Sequence, residues 1–313
     1  MQLSDRIGRR MKLQDLHVLM TVVQAGSMSK AATLLNTTQS AISRSVADLE
    51  QTIGVQLLDR GPHGVVPTQY GRALLKHGVV AFDELKQGVK NIEFLADPTA
   101  GEVRIGSTIS LAASFVSAVI DRLSRRYPRI VFHVVATATE TLHSELNERN
   151  VDLLIARGGS SFTDEQFAFE TLYDDSFVVV AGAQNPWARR RRIELAALVN
   201  EPWVLPAPEG EIGSVFMETF RAKGLDYPRA TVVTLPREVR MSLLVTGRFL
   251  TMCSPSILRF PTRRSDIRVL PVELALARVP VGIVTLKNRT LSPVAQLFLE
   301  HAREIARRLA KGA

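Results

Sequence analysis

An α/β multidomain chain is predicted, on three observations. Between residues 13 and 96 the apolar residues recur at helical spacing, interrupted by one β-branched stretch. From Gly101 onward, strand-like and helix-like runs alternate. The 313 residues are enough for two or three compact units, each with its own core. Hydrophobic residues at 46% and charged residues at 22% exclude a disordered or fibrous chain. Cys253 is the only cysteine, which excludes an intramolecular disulfide and makes a reducing cytoplasm the expected setting. No apolar run reaches the roughly 18 residues of a membrane span, and "MQLSDRIGRRMKLQDL" lacks the apolar core of a signal peptide. The net charge of +8 is compatible with a polyanionic partner. It does not decide the matter, because "ARRRR" (188–192), "TRR" (262–264) and the tail "HAREIARRLAKG" spread the excess along the chain.

In "LQDLHVLMTVVQAG" (13–26), Leu13, Leu16, Leu19, Met20 and Val23 share one helical face, and Gly26 ends the helix. Ser27 is placed to cap a short helix through Ala31, Ala32 and Leu35, whose small alanines allow close helix approach. Asn36 and Thr37 break the pattern, and Thr38 is a cap for the next helix, in "TTQSAISRSVADLEQTIG" (37–54). At about 100° per residue, Ile42, Val46, Leu49 and Ile53 form an apolar stripe, while Gln39, Ser40, Ser43, Arg44 and Ala47 form a second one. The apolar stripe must pack on the two preceding helices, so the polar one points away. A helix-turn-helix unit presents this part of its second helix to the major groove. Gln can read adenine, Arg can read guanine, and Ser or Thr can serve bases or phosphates. Taken alone, the stripe is equally a solvated face.

The residues after Gly54 shift that balance. "VQLLDRGPHGVVPTQYG" holds an apolar run, a Gly/Pro turn and a β-branched run, which predicts a β-wing with Arg60 and His63 at its tip. Residues 68–96 are helix-like, with Leu75, Gly78, Phe82, Leu85, Val89 and Ile92 three and four apart, a heptad seam that suits dimerisation. Asp97–Pro98 ends it.

Residues 11–72 resemble the DNA-binding region of LysR-type transcriptional regulators. The match runs ungapped through "LQDLHVLMTVVQAGSMSKAATLLNTTQSAISRSVADLEQTIGVQLLDR" and then "VVPTQYG". Two positions depart from the usual pattern: Ser40 stands where proline is common, and Leu58 replaces a frequent phenylalanine. The resemblance implies DNA contacts by Thr38, Gln39, Ser40, Ser43 and Arg44, with Arg60 on the wing. It also implies an N-terminal extension (1–10), a winged helix-turn-helix domain (11–68), a linker and dimerisation helix (69–98) and an effector-binding domain (99–313).

Beyond the linker, "EVRIGS", "IVFHVVAT" and "VDLLIARG" read as strands, and "SLAASFVSAVIDRLSRRY" and "ETLHSELNER" as helices, which argues for a parallel sheet. A second α/β series runs from "SFVVVAG" through "FLTMCS", then "IRVLPV", "VPVGIVTL" and a closing helix from "SPVAQ". By resemblance these form two lobes like those of periplasmic binding proteins, one about 99–170 and 267–313, the other about 171–266. Ligands in open α/β sheets bind beyond the carboxyl ends of strands. The residues so placed are Ser107, Thr108 and Ser110, then Thr137 and Thr139, then Arg157, with Pro206, Cys253 and Ser254 from the second lobe. Such a cleft suits an oxygen-rich effector. "AVIDRLSRRYPRIVFHVV" and "ERNVDLLIARG" resemble the galactose-binding-protein regulator branch, which puts a sugar or sugar acid first and an aromatic or other organic acid second.

An enzyme is not expected. The six histidines form no HExxH or His–Cys cluster, no GxGxxG or GxxxxGK[ST] is present, and "GGSS" (158–161) lacks the GxSxG spacing. Asp174 and Asp175 would face opposite ways on a strand, and Cys253 after an apolar run suits packing. No metal or cofactor is implied. The expected partners are double-stranded DNA with an interrupted palindrome, a small-molecule effector, further copies of the chain as a homodimer or homotetramer, and RNA polymerase, with no membrane. The alternatives are a solute-binding protein, which leaves the first hundred residues unexplained, and an architectural DNA-binding protein, which needs no ligand domain.

Overall fold

The computed structural model describes residues 10–61, 64–158, 162–255, 266–274 and 278–311. His63, most of the 1–10 extension, most of "GGSS" and the "TRR" run lie outside the described residues. The chain divides into two compact units between Lys90 and Asn91. No helix among the described residues is long and apolar enough to cross a membrane.

The first unit opens with α1 (Leu13–Ala25), α2 (Met28–Leu34) and α3 (Gln39–Ile53). Local chemistry fixes each end. The Ser27 hydroxyl accepts the Lys30 N–H, and the Thr38 hydroxyl accepts the Ala41 N–H, satisfying donors that a helix start leaves unpaired. Leu16, Leu19, Val22, Ala31, Ile42, Val46 and Leu49 close the three-helix core. The hairpin β1 (Leu58–Gly61) and β2 (Gly64–Pro67) comes next, antiparallel, with Arg60 opposite Val65. Two contacts fasten it. The Glu50 carboxylate accepts the N–H groups of Leu57 and Leu58 at 2.7 and 3.1 Å, and the Val65 N–H donates to the Gly26 carbonyl at 3.0 Å. Gly64 sits at φ +115°, where a Cβ would lie 2.5 Å from that same carbonyl, so only glycine permits this docking.

The long helix α4 (Gln69–Ala96) departs from the expected continuous seam. Leu75 and Phe82 pack on the first unit's core, Phe82 lies against His17, and Gly78 abuts Leu16. Leu85, Val89, Ile92 and Leu95 are 50–81% exposed. The first part of the seam is therefore ordinary core, and only its second part is an open apolar stripe.

In the second unit, one sheet has the order β4-β3-β5-β12-β6, from β3 (Ala100–Thr108), β4 (Arg129–Thr137), β5 (Leu153–Arg157), β6 (Phe167–Asp175) and β12 (Val279–Leu286). Strands β4, β3 and β5 run parallel as expected, but β12 is antiparallel to both β5 and β6. The reason is connectivity: β12 arrives from the other sheet, not through a βαβ crossover. Between these strands lie a single turn α5 (Ile109–Leu111), a π turn at Ala112–Val116, α6 (Ser117–Arg126) and α7 (Thr139–Asn147).

A second sheet joins β7 (Val178–Gly182), β10 (Leu250–Cys253) and β11 (Ile267–Val269), with a short parallel pair β8 (Val204–Leu205) and β9 (Val232–Val233) beside it. Helices α8 (Glu211–Arg221) and α9 (Arg237–Val245) belong to this lobe. It has its own core around Trp203, Phe216 and Phe220. The closing helix α10 (Pro293–Lys311) returns Phe298 and Ala302 to the first core. The lobe boundaries shift from those expected near 170 and 266. Residues 171–175 continue β6 in the first sheet, and Ile267–Val269 pair with β7 in the second. The polar run "ETLYDD" hides a strand because it is an edge strand, with Tyr173 inward and Glu170 outside, clasped by Arg303 through two 2.8 Å hydrogen bonds.

Glu50→Leu should remove the shared acceptor of two backbone donors and cost the first unit about 1–3 kcal/mol. Both tryptophans, Trp187 and Trp203, lie in the second unit. A urea titration should therefore show an earlier far-UV circular dichroism transition with an unchanged tryptophan fluorescence midpoint.

Candidate functional site

Two sites emerge, one on each unit. On the first, burial of Ile42, Val46 and Leu49 turns the opposite face of α3 to solvent. Thr38, Gln39, Ser40 and Arg44 are exposed and Ser43 is half-buried. The Thr38 hydroxyl is already engaged, capping Ala41 and meeting the Ser40 hydroxyl at 3.0 Å. Gln39 and Arg44 are the long side chains of this face, and Arg44 forms no ion pair among the described residues. Ser45, on the flank, donates to Asp15 at 2.7 Å and ties α3 to α1. Arg60 is exposed on the wing. The face thus combines a bidentate amide, an available guanidinium and a helix N-terminus, a set suited to base edges and phosphates.

On the second unit, a cavity of about 320 Å³ is bounded by residues of both lobes. The first lobe contributes Thr108, Ser110, Thr137, Thr139 and Arg157, and the second contributes Pro206, Cys253 and Ser254. All but one of the residues expected in a cleft are therefore together. Ser107 is the exception: it is fully buried and its hydroxyl donates to the Ile155 carbonyl at 2.7 Å. Alternation along β3 sends it away from the face that Thr108 presents.

The cavity floor is a buried polar cluster. Arg157 Nη2 meets Asp175 Oδ2 at 2.9 Å, with both side chains about 5% exposed or less. Arg157 Nη1 donates to the Ser110 hydroxyl at 3.0 Å, and the Ser254 hydroxyl donates to Asp175 Oδ1 at 2.6 Å. The guanidinium carbon lies 5.7 Å from the Phe177 ring centroid. Arg157, the one cation expected at the cleft, is thus already neutralised.

Sequence reasoning missed several wall residues: Phe177, Ile212, Phe216, Leu235, Met252 and above all Arg240. Arg240 is 7% exposed, and its Nη1 donates to the Met252 carbonyl at 3.2 Å. Burial pulls its proton affinity below the ordinary arginine value. A signal existed in "REVRMSLLV", where Arg240 and Leu244 lie one turn apart on the buried face of α9. For Phe216 there was none, since it is core and cavity wall at once. Gly213 allows the wall to close, because a Cβ there would lie 1.8 Å from the Ala207 carbonyl. A hollow of about 480 Å³ near Trp187, Arg190 and Arg248 offers less, for its Asn185 amide already bonds the Gly247 carbonyl and the Trp187 N–H.

Among the described residues no group of three His, Cys, Asp or Glu side chains could hold a metal. Cys253 is 2% exposed, and burial pushes its thiol pKa up to about 12.

Known proteins resemble both parts of the chain. A family profile described as "LysR substrate binding domain" matches residues 96–307, and one described as "Bacterial regulatory helix-turn-helix protein, lysR family" matches residues 13–72. The chain is 24% identical to the HTH-type transcriptional regulator GbpR of Azospirillum brasilense, covering 93% of this chain and 85% of that one. It is 27% identical to the transcriptional dual regulator GltC of Bacillus subtilis (strain 168), covering 93% and 96%. Among solved structures, a full-length OxyR variant from Pseudomonas aeruginosa superposes with a TM-score of 0.69 at 19% identity, over 95% of each chain. Full-length CbnR in complex with its target DNA gives a TM-score of 0.55 at 19% identity, over 95% of this chain and 100% of that one. These similarities speak for regulators and against an enzyme.

Because the Cys253 thiolate forms only as pH approaches about 12, a maleimide at pH 8 should label the native protein at least a hundredfold more slowly than the urea-unfolded protein. Mass spectrometry of timed samples measures the ratio, and comparable rates would show an accessible thiol.

Proposed function

The chain belongs to the LysR family of DNA-binding transcriptional regulators, and from that membership we propose how its own residues read DNA and answer to an effector. LysR regulators bind operator DNA and small-molecule effectors and form oligomers. In this reading residues 11–68 are the DNA-binding domain, 69–98 the linker helix and 99–313 the effector domain. Gln39, Ser40, Ser43 and Arg44 contact base edges or nearby phosphates, Thr38 sets the helix N-terminus, and Arg60 contacts the backbone. The observation that carries this is the division of α3 into one buried and one exposed face, with the wing held beside it through Glu50 and Gly26.

Dimerisation is assigned to the open part of α4. Leu85, Val89 and Ile92 are apolar, exposed, and spaced four and three apart on a helix of 28 residues, the pattern of a helix seam. Two such chains would present two recognition helices to the half-sites of an interrupted palindrome.

The cavity of the second unit is assigned to the effector, with Thr108, Ser110, Thr139, Arg157, Pro206 and Cys253 in its lining. A small oxygen-bearing metabolite, whether sugar, sugar acid or other organic acid, suits its hydroxyls and helix starts. Binding controls transcription only if the effector favours one arrangement of the oligomer over another.

Fluorescence anisotropy with the operator from the protein's own promoter region tests the DNA assignment. Arg44→Ala should lose about 1–3 kcal/mol of discrimination at particular base pairs, whereas Arg60→Ala should weaken all sequences alike and lower the salt slope by about one. Equal loss of discrimination in both would contradict the roles. For the seam, Val89→Glu should convert the oligomer to monomer in light scattering and weaken operator binding at least tenfold. An unchanged mass would place the interface elsewhere.

A further inference from the structure

The chemistry of the effector can be read from what the cavity leaves unpaired. Three helices of nine or more residues begin at its lining: α7 at Thr139, α8 after Gly210 and α9 after Pro236. Their first N–H groups favour negative charge. Charged side chains of the lining are Arg157, Arg237 and Arg240 against Glu140, which is exposed at the rim. Arg157 is matched by Asp175. Arg240 is different: it is buried and has no carboxylate within ion-pair distance among the described residues. Its guanidinium donates to a neutral carbonyl, and its Nε, like that of Arg157, is buried without a hydrogen bond. From the first lobe, the Thr108 hydroxyl is also buried without a partner. Glu238 acts on Arg240 only from beyond ion-pair distance, a buried guanidinium so weakly matched is costly, and a ligand carboxylate would complete its pairing.

Apart from Ser254, whose hydroxyl is held by Asp175, the rest of the second-lobe wall is apolar. Phe177, Ile212, Phe216, Leu235 and Met252 line the cavity and offer no side-chain hydrogen bond. A polyhydroxylated body laid against them would lose its water without replacement, whereas a hydrocarbon body would gain from the same burial. We infer that the effector is a small organic monocarboxylate with an apolar, unhydroxylated body, its carboxylate on Arg240 and its body against Phe177, Ile212 and Phe216. This inference rests on the cavity being the effector site, and it places organic acids ahead of sugars.

The test is calorimetric titration of the full-length protein with 3-phenylpropanoate and hexanoate, with the neutral 3-phenylpropanamide, and with the polyhydroxylated acid galactonate. At least one of the two apolar acids should bind. If 3-phenylpropanoate is the one, its amide should be at least tenfold weaker, and galactonate should give no heat. Arg240→Gln should weaken the apolar acid at least tenfold, and Arg240→Lys, which keeps the charge, should recover part of that loss. The comparison of acid with amide needs no variant, so it stands even if Arg240→Gln does not fold. No heat from either apolar acid, equal binding of acid and amide, or binding of galactonate alone would overturn the inference. If galactonate alone binds and Thr139→Val weakens it, the cavity remains the effector site and only the ligand class falls. If an apolar acid binds but neither Arg240→Gln nor Thr139→Val alters it, the assignment of the cavity itself is wrong.

Discussion

One buried carboxylate organises the effector domain. Asp175 is the last residue of β6, where the chain leaves the first sheet for the second. Its two oxygens reach Arg157 at the end of β5 and Ser254 just beyond β10. Three strand ends drawn from both sheets are thereby tied at one point. Such a pair is held by mutual need: removing either charge leaves the other buried and uncompensated, a loss of about 3–5 kcal/mol. It also sets the polarity of the cavity above it. With Arg157 committed to Asp175 and Ser110, the remaining cationic groups of the lining are Arg237 and Arg240.

The DNA-binding unit rests on a different logic, that of close backbone approach. Glu50 reaches from α3 to two N–H groups at the root of the wing, while Gly64 meets Gly26 at the end of α1. The wing is therefore referenced to both helices. A recognition surface made of two elements needs such referencing, because phosphate contacts from one are useful only at a fixed offset from base contacts of the other.

How much of this is legible in the sequence depends on distance along the chain. The faces of α3, the Ser27 and Thr38 caps and the glycine stops depend on neighbours within about one helical turn, and these are readable. Alternation correctly sends Asp174 and Asp175 to opposite sides, since one is exposed and the other buried. It cannot say that Asp175 meets Arg157, 18 positions away. The antiparallel β12, the edge strand β6 and the departure of Ser107 from the cavity all come from pairings between distant segments. Arg240 and Phe216 are hidden for a related reason: a residue on the buried face of a helix looks the same whether it meets core or cavity. The heptad spacing misleads in α4, because it continues unchanged across the point where the neighbour stops being α1.

That break within α4 has a mechanical consequence. Its first half is locked to α1 through Gly78 against Leu16 and Phe82 against His17. A helix of 28 residues at 1.5 Å per residue is a rod of about 42 Å. Beyond Phe82 about 14 residues remain, an arm of about 21 Å, so one degree of tilt where the lock ends moves the helix's last turn by about 0.4 Å. The helix is thus anchored over its first half within the first unit, and its later turns move as a rigid extension of that anchor.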